Sequence, residues 1–260
     1  FFMDCNPNYD VPNTKAFTDS LAKVGLKVSF ADRNDETASL CDVVAIGANY
    51  LEAWGDSNAY EGLYSIVQPT INPVFNSRQA ELSLLIWSEN PVTDYYQYVR
   101  NNWEKNILPS LGKTWEELLQ TGVFNASAKA SSSYSFGMSL DSVVSTIVST
   151  SKSLAKNVEL QVYESGAIRD GRYANNAFLQ ELPDGVSKVT WDNYLALSPK
   201  FAESLGFKQF DVVSVKASNG YAIDLPVLIQ PGQANGTASV ALGYGRTKTG
   251  KAGDNVGQNA

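Results

Sequence analysis

The strongest constraint on the fold lies in residues 1–46, where apolar runs and one helical stretch alternate with turn residues. Residues 1–4 form a short apolar run that stops at Cys5-Asn6-Pro7-Asn8. Between Asn13 and Val24, the apolar residues Ala16, Phe17, Leu21 and Val24 recur at helical spacing. Asn13 is placed to cap that helix and Gly25 to end it. Leu26-Lys27-Val28-Ser29-Phe30 alternates like a strand, and residues 42–46 are a further apolar run. A strand, a helix of about three turns and a strand make a parallel βαβ unit. Such sheets bind ligands beyond the carboxyl ends of their strands, which puts residues 6–8 and 32–37 on the candidate binding edge.

Several chemistries are excluded by composition. The 260 residues include no histidine, so a Ser-His-Asp triad, a Cys-His pair and every His-based zinc site are impossible within the chain. Acid and base work would fall to carboxylates, Lys or Tyr. Its two cysteines, Cys5 and Cys41, are too few for a four-cysteine zinc site or an iron–sulfur cluster. One disulfide between them stays open on sequence grounds, and two free, partly buried thiols are the expectation. A net charge of −7 argues against general affinity for nucleic acid, which needs clustered Lys and Arg. No apolar run approaches the roughly 20 residues that span a bilayer. Apolar content of 43% with 18% charge is the profile of a globular chain, and the length suggests about two domains. Because it opens on a run read as a buried strand, the chain is expected to be a piece of something longer.

Residues 77–121 read as mainly helical, with apolar stripes over 78–87 and 94–107. Thr114-Trp115-Glu116-Glu117 has the pattern of a capping box, opening a helix that ends near Gly122. Tyr95, Tyr96, Tyr98 and Trp103 lie along one helix and cannot all face inward; they fit either packing against another part of a parent protein or a wide apolar face. Residues 126–153 are crowded with serine and read as a linker or surface insertion, although Leu140, Val143, Val144, Ile147 and Val148 keep a helical stripe. Residues 157–260 change character. Residues 158–163 alternate as a strand, and 237–242 make another. Ser198-Pro199, followed by Phe201, Ala202, Leu205 and Gly206, reads as a short capped helix. Strands over 211–217 and 221–229 flank Asn219-Gly220, which predicts a hairpin closed by a type I′ turn. Several short strands with one small helix suggest a compact β-barrel.

Several of these stretches together resemble the molybdopterin oxidoreductases of the dimethyl sulfoxide reductase type. They are Asn6-Pro7 after a strand, Asp35-Glu36-Thr37-Ala38 followed by Cys41-Asp42-Val43-Val44, and Tyr50-Leu51-Glu52-Ala53-Trp54-Gly55. The later matches are Asn175-Asn176-Ala177-Phe178-Leu179-Gln180-Glu181-Leu182-Pro183-Asp184, Lys188-Val189-Thr190-Trp191-Asp192-Asn193 and Gly243-Tyr244-Gly245-Arg246-Thr247. Within that family the pattern is most similar to the large iron–sulfur subunit of bacterial alternative complex III. The resemblance covers roughly residues 1–90 and 157–260. It implies an α/β chain in three parts: a Rossmann-like parallel βαβ half-domain over 1–90, a helical segment with a Ser-rich linker or insertion over 91–156, and a double-psi β-barrel like the molybdopterin dinucleotide-binding domain over 157–260.

Members of that family hold molybdenum or tungsten between two pterin dinucleotides, and their metal-ligand and iron–sulfur residues lie outside this span. The resemblance therefore implies a cofactor-free scaffold in a quinol-oxidising respiratory membrane complex, at the periplasmic face of the cytoplasmic membrane. Its partners would be the rest of a parent polypeptide and other subunits, with no nucleic acid and no membrane span of its own. Iron–sulfur clusters elsewhere in the parent would carry the electrons. A genuine molybdenum enzyme holding molybdopterin guanine dinucleotide and acting on an inorganic substrate such as polysulfide is the second reading. An isolated nucleotide-binding domain is the third.

No catalytic or metal-ligating residue is expected in the chain, and each candidate cofactor-binding residue has a plainer use beside it. Asn6 and Asn8 suit donors to a guanine or phosphate, and equally ordinary turn residues. Asp32 follows a strand, where a carboxylate grasps a ribose or guanine edge, or else it caps a helix over 34–41. Thr37 is most simply a first-turn hydroxyl. Gln180 and Glu181 suit a heterocycle edge, against a Glu181 paired with Arg172 or Lys188. Trp191 and Asn193 suit the frame of a pterin, or serve the fold. Gly243 and Gly245 let backbone approach a ligand, and Arg246 suits a pyrophosphate, against a surface or inter-subunit contact.

Overall fold

A computed structural model describes residues 1–126, 135–154 and 158–260. The Ser-rich linker read over 126–153 lies partly outside these residues, at 127–134. The described chain divides into two units: Phe1–Asn8 with Asn13–Ser135, and Tyr9–Pro12 with Phe136–Ala260.

In the first unit the expected βαβ arrangement is present in miniature. Phe2 makes a single parallel bridge to Ser29. Strand β1 (Val28–Ser29) then pairs in parallel with β2 (Val43–Val44). Between Phe2 and β1 run the short turn α1 (Pro7–Asp10) and the helix α2 (Thr14–Leu21). Asn13 caps α2 by accepting the Ala16 N–H at 3.0 Å. The helix ends at Ala22, three residues before Gly25, with Ala22 N–H donating to Thr18 O. Val28, Ser29 and Phe30 are all buried, as a strand covered on both faces should be.

Beyond β2 the simple alternation of strand and helix stops. Strands β3 (Gly55–Tyr60) and β4 (Leu63–Val67) form an antiparallel hairpin, and β5 (Val123–Asn125) adds antiparallel to β4. This sheet has no counterpart in the sequence reading. β3 is Gly-Asp-Ser-Asn-Ala-Tyr, mostly residues that strands avoid, so pairing and burial of Ile66 on β4 override propensity. Helices α3 (Ala80–Trp87), α4 (Tyr95–Asn102), α5 (Leu108–Leu111) and α6 (Trp115–Thr121) follow, with a π-helical turn at Trp103–Ile107 joining α4 to α5. Thr114 and Glu117 form the capping box read from the sequence. Ile66, Val99, Trp103, Leu108, Trp115 and Leu118 make the core. The aromatic row on α4 divides accordingly. Trp103 is buried, with its indole N–H donating to Asp56 Oδ2 at 2.7 Å; Tyr95 and Tyr96 pack at the core's edge; Tyr98 is exposed.

The second unit is built on one mixed sheet. Its elements are α7 (Leu140–Leu154), β6 (Glu159–Glu164), α8 (Ala177–Glu181), β7 (Leu195–Leu197), α9 (Pro199–Leu205), β8 (Val212–Lys216), β9 (Ala222–Ile229) and β10 (Thr237–Leu242). The strand order is β6-β10-β7-β9-β8. β6 is parallel to β10 and β7 is parallel to β9, whereas β10–β7 and β8–β9 are antiparallel. The central strands are buried on both faces. Leu195, Leu197, Leu225, Val227, Ala238 and Val240 pack with Ala202 of α9 on one face, and Tyr194, Ala196 and Leu228 pack on the other. Ser198 caps α9, Pro199 opens it and Gly206, at φ 74°, closes it.

The β8–β9 hairpin is where the sequence predicts it, with a different turn. A type I′ turn needs positive φ at both central residues. Here Gly220 has φ 88° and Asn219 is not left-handed. Gly220 N–H donates to Ala217 O at 3.1 Å and Ala217 N–H to Tyr221 O at 2.9 Å. That is a three-residue loop in which glycine supplies the left-handed step after an ordinary turn. Among the described residues, no helix is long and apolar enough to cross a membrane.

Candidate functional site

The candidate residues fall into two clusters, one in each unit. In the first unit, the segment after Phe2 is laced to the segment after β1. Asn6 Nδ2 donates to Glu36 Oε2 at 2.8 Å, and Asn6 Oδ1 accepts both the Thr37 N–H at 3.0 Å and the Thr37 hydroxyl at 2.6 Å. Asn8 N–H donates to Thr37 Oγ1 at 2.9 Å, its Nδ2 donates to Glu36 O at 3.3 Å, and its Oδ1 accepts from Thr18 Oγ1 at 2.8 Å. Thr37 is fully buried. The structure therefore brings Asn6, Asn8 and Thr37 together, with Glu36 as a partner the sequence did not single out. Asp35, likewise not singled out, caps the short turn Ala38–Leu40 by accepting the Thr37 and Ala38 N–H groups at 3.1 and 2.8 Å. The helix expected over 34–41 is only this 3₁₀ turn, and Asp35 rather than Asp32 caps it. Asp32 instead forms a bidentate pair with Arg33, both contacts at 2.9 Å, which holds the guanidinium above its usual pKa.

Both cysteines are free. Cys41 is half-buried, with its thiol against Thr37 O at 3.4 Å, and burial pushes its pKa up. Cys5 is exposed, contrary to the partly buried thiol expected.

In the second unit, Asn193 is 1% exposed and fully engaged. Its Nδ2 donates to Ala241 O at 3.1 Å and Gln258 O at 2.8 Å, and its Oδ1 accepts the Gln258 N–H at 2.9 Å. It thereby ties β10 to the segment near Ala260. Gly243 (φ 100°) and Gly245 (φ 68°) do permit close backbone approach, but the backbone that approaches is the chain's own. A Cβ at Gly243 would stand 2.6 Å from Arg169 O, and one at Gly245 would stand against Asn259 N. Arg246 is 5% exposed, which corrects the surface contact expected of it. Its Nη1 donates to Gly171 O at 2.7 Å, and its guanidinium lies 4.8 Å from the ring centre of Tyr9. Tyr9 in turn donates its hydroxyl to Tyr244 O at 2.7 Å.

Gln180 behaves differently. It is 2% exposed, and its Nε2 donates to Ala174 O at 2.8 Å, but its Oε1 has no hydrogen-bond partner among the described residues. Its backbone O accepts the Trp191 N–H at 3.1 Å, and Trp191 is held at φ 64°, an uncommon conformation for a bulky residue. Glu181 is exposed. The partners proposed for it are engaged elsewhere: Arg172 Nη2 pairs with Asp170 at 2.7 Å, and Lys188 Nζ donates to Gly185 O at 2.9 Å.

A chain of hydroxyls, missed in the sequence, lies beside these residues. The Tyr194 hydroxyl donates to Ser187 Oγ at 2.8 Å, and Ser187 Oγ then donates to Asp184 Oδ1 at 2.9 Å. Burial alone would raise the Asp184 pKa, but hydrogen bonds from Ser187 and Val186 outweigh it and hold the carboxyl below its usual range. Burial first, then the neighbouring Tyr194, pushes the Tyr163 pKa well up. Asp192 is raised by burial, partly offset by the Asn193 N–H. Among the described residues, no cluster of His, Cys, Asp and Glu is arranged to hold a metal.

No family model matches the chain. The fold is that of a known class: it superposes on acetylene hydratase from Pelobacter acetylenicus with a TM-score of 0.68 at 17% identity, over 93% of this chain and 36% of that one. In sequence it is 26% identical over 248 residues to the menaquinone reductase, molybdopterin-binding-like subunit, of Nitratidesulfovibrio vulgaris (strain Hildenborough), covering 94% of this chain. The chain spans about a third of the length of both proteins, 35% and 36%. The resemblance to molybdopterin oxidoreductases read from the sequence is thus shared by a curated relative along nearly the whole chain, in a mixed α/β fold with parallel and antiparallel sheets.

Proposed function

We propose that the chain is a cofactor-free scaffold portion of a molybdopterin oxidoreductase-like subunit in a quinone-linked respiratory membrane complex. One observation carries this reading: the polar groups suited to a pterin dinucleotide are turned onto the chain itself. Asn193 has its donors and acceptor filled by Ala241 and Gln258, Asn6 and Asn8 are bound to Thr37 and Glu36, and the glycine approaches at 243 and 245 are filled by backbone. These residues as arranged do not fit a bound dinucleotide. The relative's name supplies the quinone link and the company of other subunits. Since that name describes quinone reduction, the link to quinone is kept and the quinol-oxidising direction is not. Likeness to alternative complex III, the periplasmic face and iron–sulfur clusters elsewhere in a parent protein belong to the same reading. So does the three-part division at 90 and 156. Phe2, β1 and β2 support a Rossmann-like half-domain, and the interleaved parallel pairs β6/β10 and β7/β9 support a double-psi barrel.

A second reading is favoured by Gln180, whose buried Oε1 acceptor finds no donor among the described residues. In a genuine molybdopterin enzyme, a heterocycle N–H would fill it. Metal and pterin analysis of the purified full-length protein separates the two. The scaffold reading expects neither molybdenum nor tungsten nor pterin in stoichiometric amount, and stoichiometric metal with pterin would establish the enzyme instead.

A further inference from the structure

We infer that Asn219 is a site of spontaneous deamidation, and that the fold shields the chain's other Asn-Gly step, Asn235-Gly236, from the same reaction. The chain holds two such steps. Glycine has no Cβ to block its own peptide nitrogen, so an Asn followed by Gly is the most exposed to internal attack. Asparagine is already among the thermally labile side chains.

The two steps differ in what holds them. At the β8–β9 turn the bonds that hold the Asn219-Gly220 step itself are local, and the distant bond of the turn, from the Tyr221 hydroxyl to Asn259 O, holds neither residue of the step. Gly220 N–H donates to Ala217 O at 3.1 Å, and Asn219 Oδ1 accepts the Tyr221 N–H at 3.0 Å. Both bonds lie within five residues of an exposed turn, so opening them disturbs no core contact. At Asn235 the constraints are distant. Its Oδ1 accepts the hydroxyl of Ser198 at 2.6 Å, and Ser198 is the buried cap of α9. Gly236 O accepts the Glu159 N–H at 3.0 Å, at the edge of β6, and Thr237 begins the central strand β10. Swinging the Asn235 side chain onto Gly236 N would pull on a helix cap and on two paired strands.

The reaction at Asn219 balances without an oxidant. Gly220 N bonds to Asn219 Cγ, the Cγ–Nδ2 bond breaks, and ammonia leaves with the proton from the peptide nitrogen. Water then opens the succinimide to aspartate or isoaspartate. Either product adds a negative charge, and isoaspartate adds a backbone carbon to the loop that sets the β8–β9 register. Tyr221, next in the chain, donates its hydroxyl to Asn259 O at 2.6 Å, so the altered turn acts on the segment that Asn193 also anchors.

The test is peptide mapping with isoaspartate detection on the whole chain aged at mildly alkaline pH, folded and in urea. In the folded chain the Asn219 peptide should convert several-fold faster than the Asn235 peptide, and in urea the two rates should converge. Ser198→Ala, which removes the bond to Asn235, should speed conversion there. Equal rates in the folded chain, a faster Asn235, or a ratio that urea leaves unchanged would each overturn the inference.

Discussion

In the second unit, strands of three to eight residues are paired along their length, and their central members bury side chains on both faces. In the first unit, the parallel strands are two residues long, and side-chain bonds from Asn6, Asn8, Thr37 and Glu36 do much of the joining. A ladder distributes its hydrogen bonds over many residues of any identity, since the backbone supplies them. A side-chain knot concentrates them in a few residues whose identity matters. The same polar residue types therefore carry different meanings in the two units, and an asparagine near a strand end is not a binding residue until its own chain has been shown to leave it free.

The comparison breaks first on the two cores. Leu225 and Trp103 are both essentially unexposed, and Leu225→Ala should cost about 2–5 kcal/mol and Trp103→Ala about 3–5 kcal/mol. Urea unfolding followed by a probe in each unit reads this out. If the units unfold separately, each variant should move one transition; a single shared shift would show one cooperative body.

Next come the polar anchors. Asn193→Ala leaves Ala241 O, Gln258 O and Gln258 N without their partner, at about 1–3 kcal/mol for each group left buried and unpaired. Thr37→Val keeps the shape but strips the hydroxyl from Asn6 and Asn8, and about 1–3 kcal/mol should be lost. Neither loss would be expected if these side chains were idle until a ligand arrived, so unchanged unfolding midpoints would reopen the binding reading.

Smaller effects belong to the caps. Thr114→Ala in the first unit and Ser198→Ala in the second should each cost about 1 kcal/mol. The Ser198 loss should be the larger, because its hydroxyl also donates to Asn235.

The smallest is a gain. Partial desolvation raises the Asp192 pKa, but the residue is exposed and solvent screens it, so the fold favours the protonated form only weakly. Its contribution is fully present below the unfolded carboxyl pKa and is lost as pH rises through the folded one. At neutral pH Asp192→Asn should therefore stabilise the second unit, with the advantage fading in acid. Thermal unfolding of both proteins across that range checks it, and a gain that persists in acid would point to a cause other than charge.

Local signals were the legible ones. Asn13, Thr114 and Ser198 cap helices because a cap and its target lie three residues apart, inside any short window. Asn219-Gly220 marked its hairpin for the same reason, although the choice between two loop geometries turned on one φ angle. The β3–β4–β5 sheet was invisible because β3 carries a loop-like composition and its stability comes from a partner and a core elsewhere. Glu36 escaped notice because its partner Asn6 is chosen by topology, 30 residues away. Arg246 was found by its motif, and its burial under Tyr9 depended on a contact more than 200 residues away in sequence.

The position of β10 has a consequence in time. It is the last strand of the second unit to appear in the chain, yet it lies between β6 and β7, joining the first strand to the other three. During synthesis from the amino end, β6 has no neighbour in this sheet until residues 237–242 emerge. Closing a loop of that length before any reward is slow, which puts the sheet among topologies that fold late. Until then β6 waits with an unpaired edge, and that waiting interval is when the second unit is most open to pairing with the wrong strand.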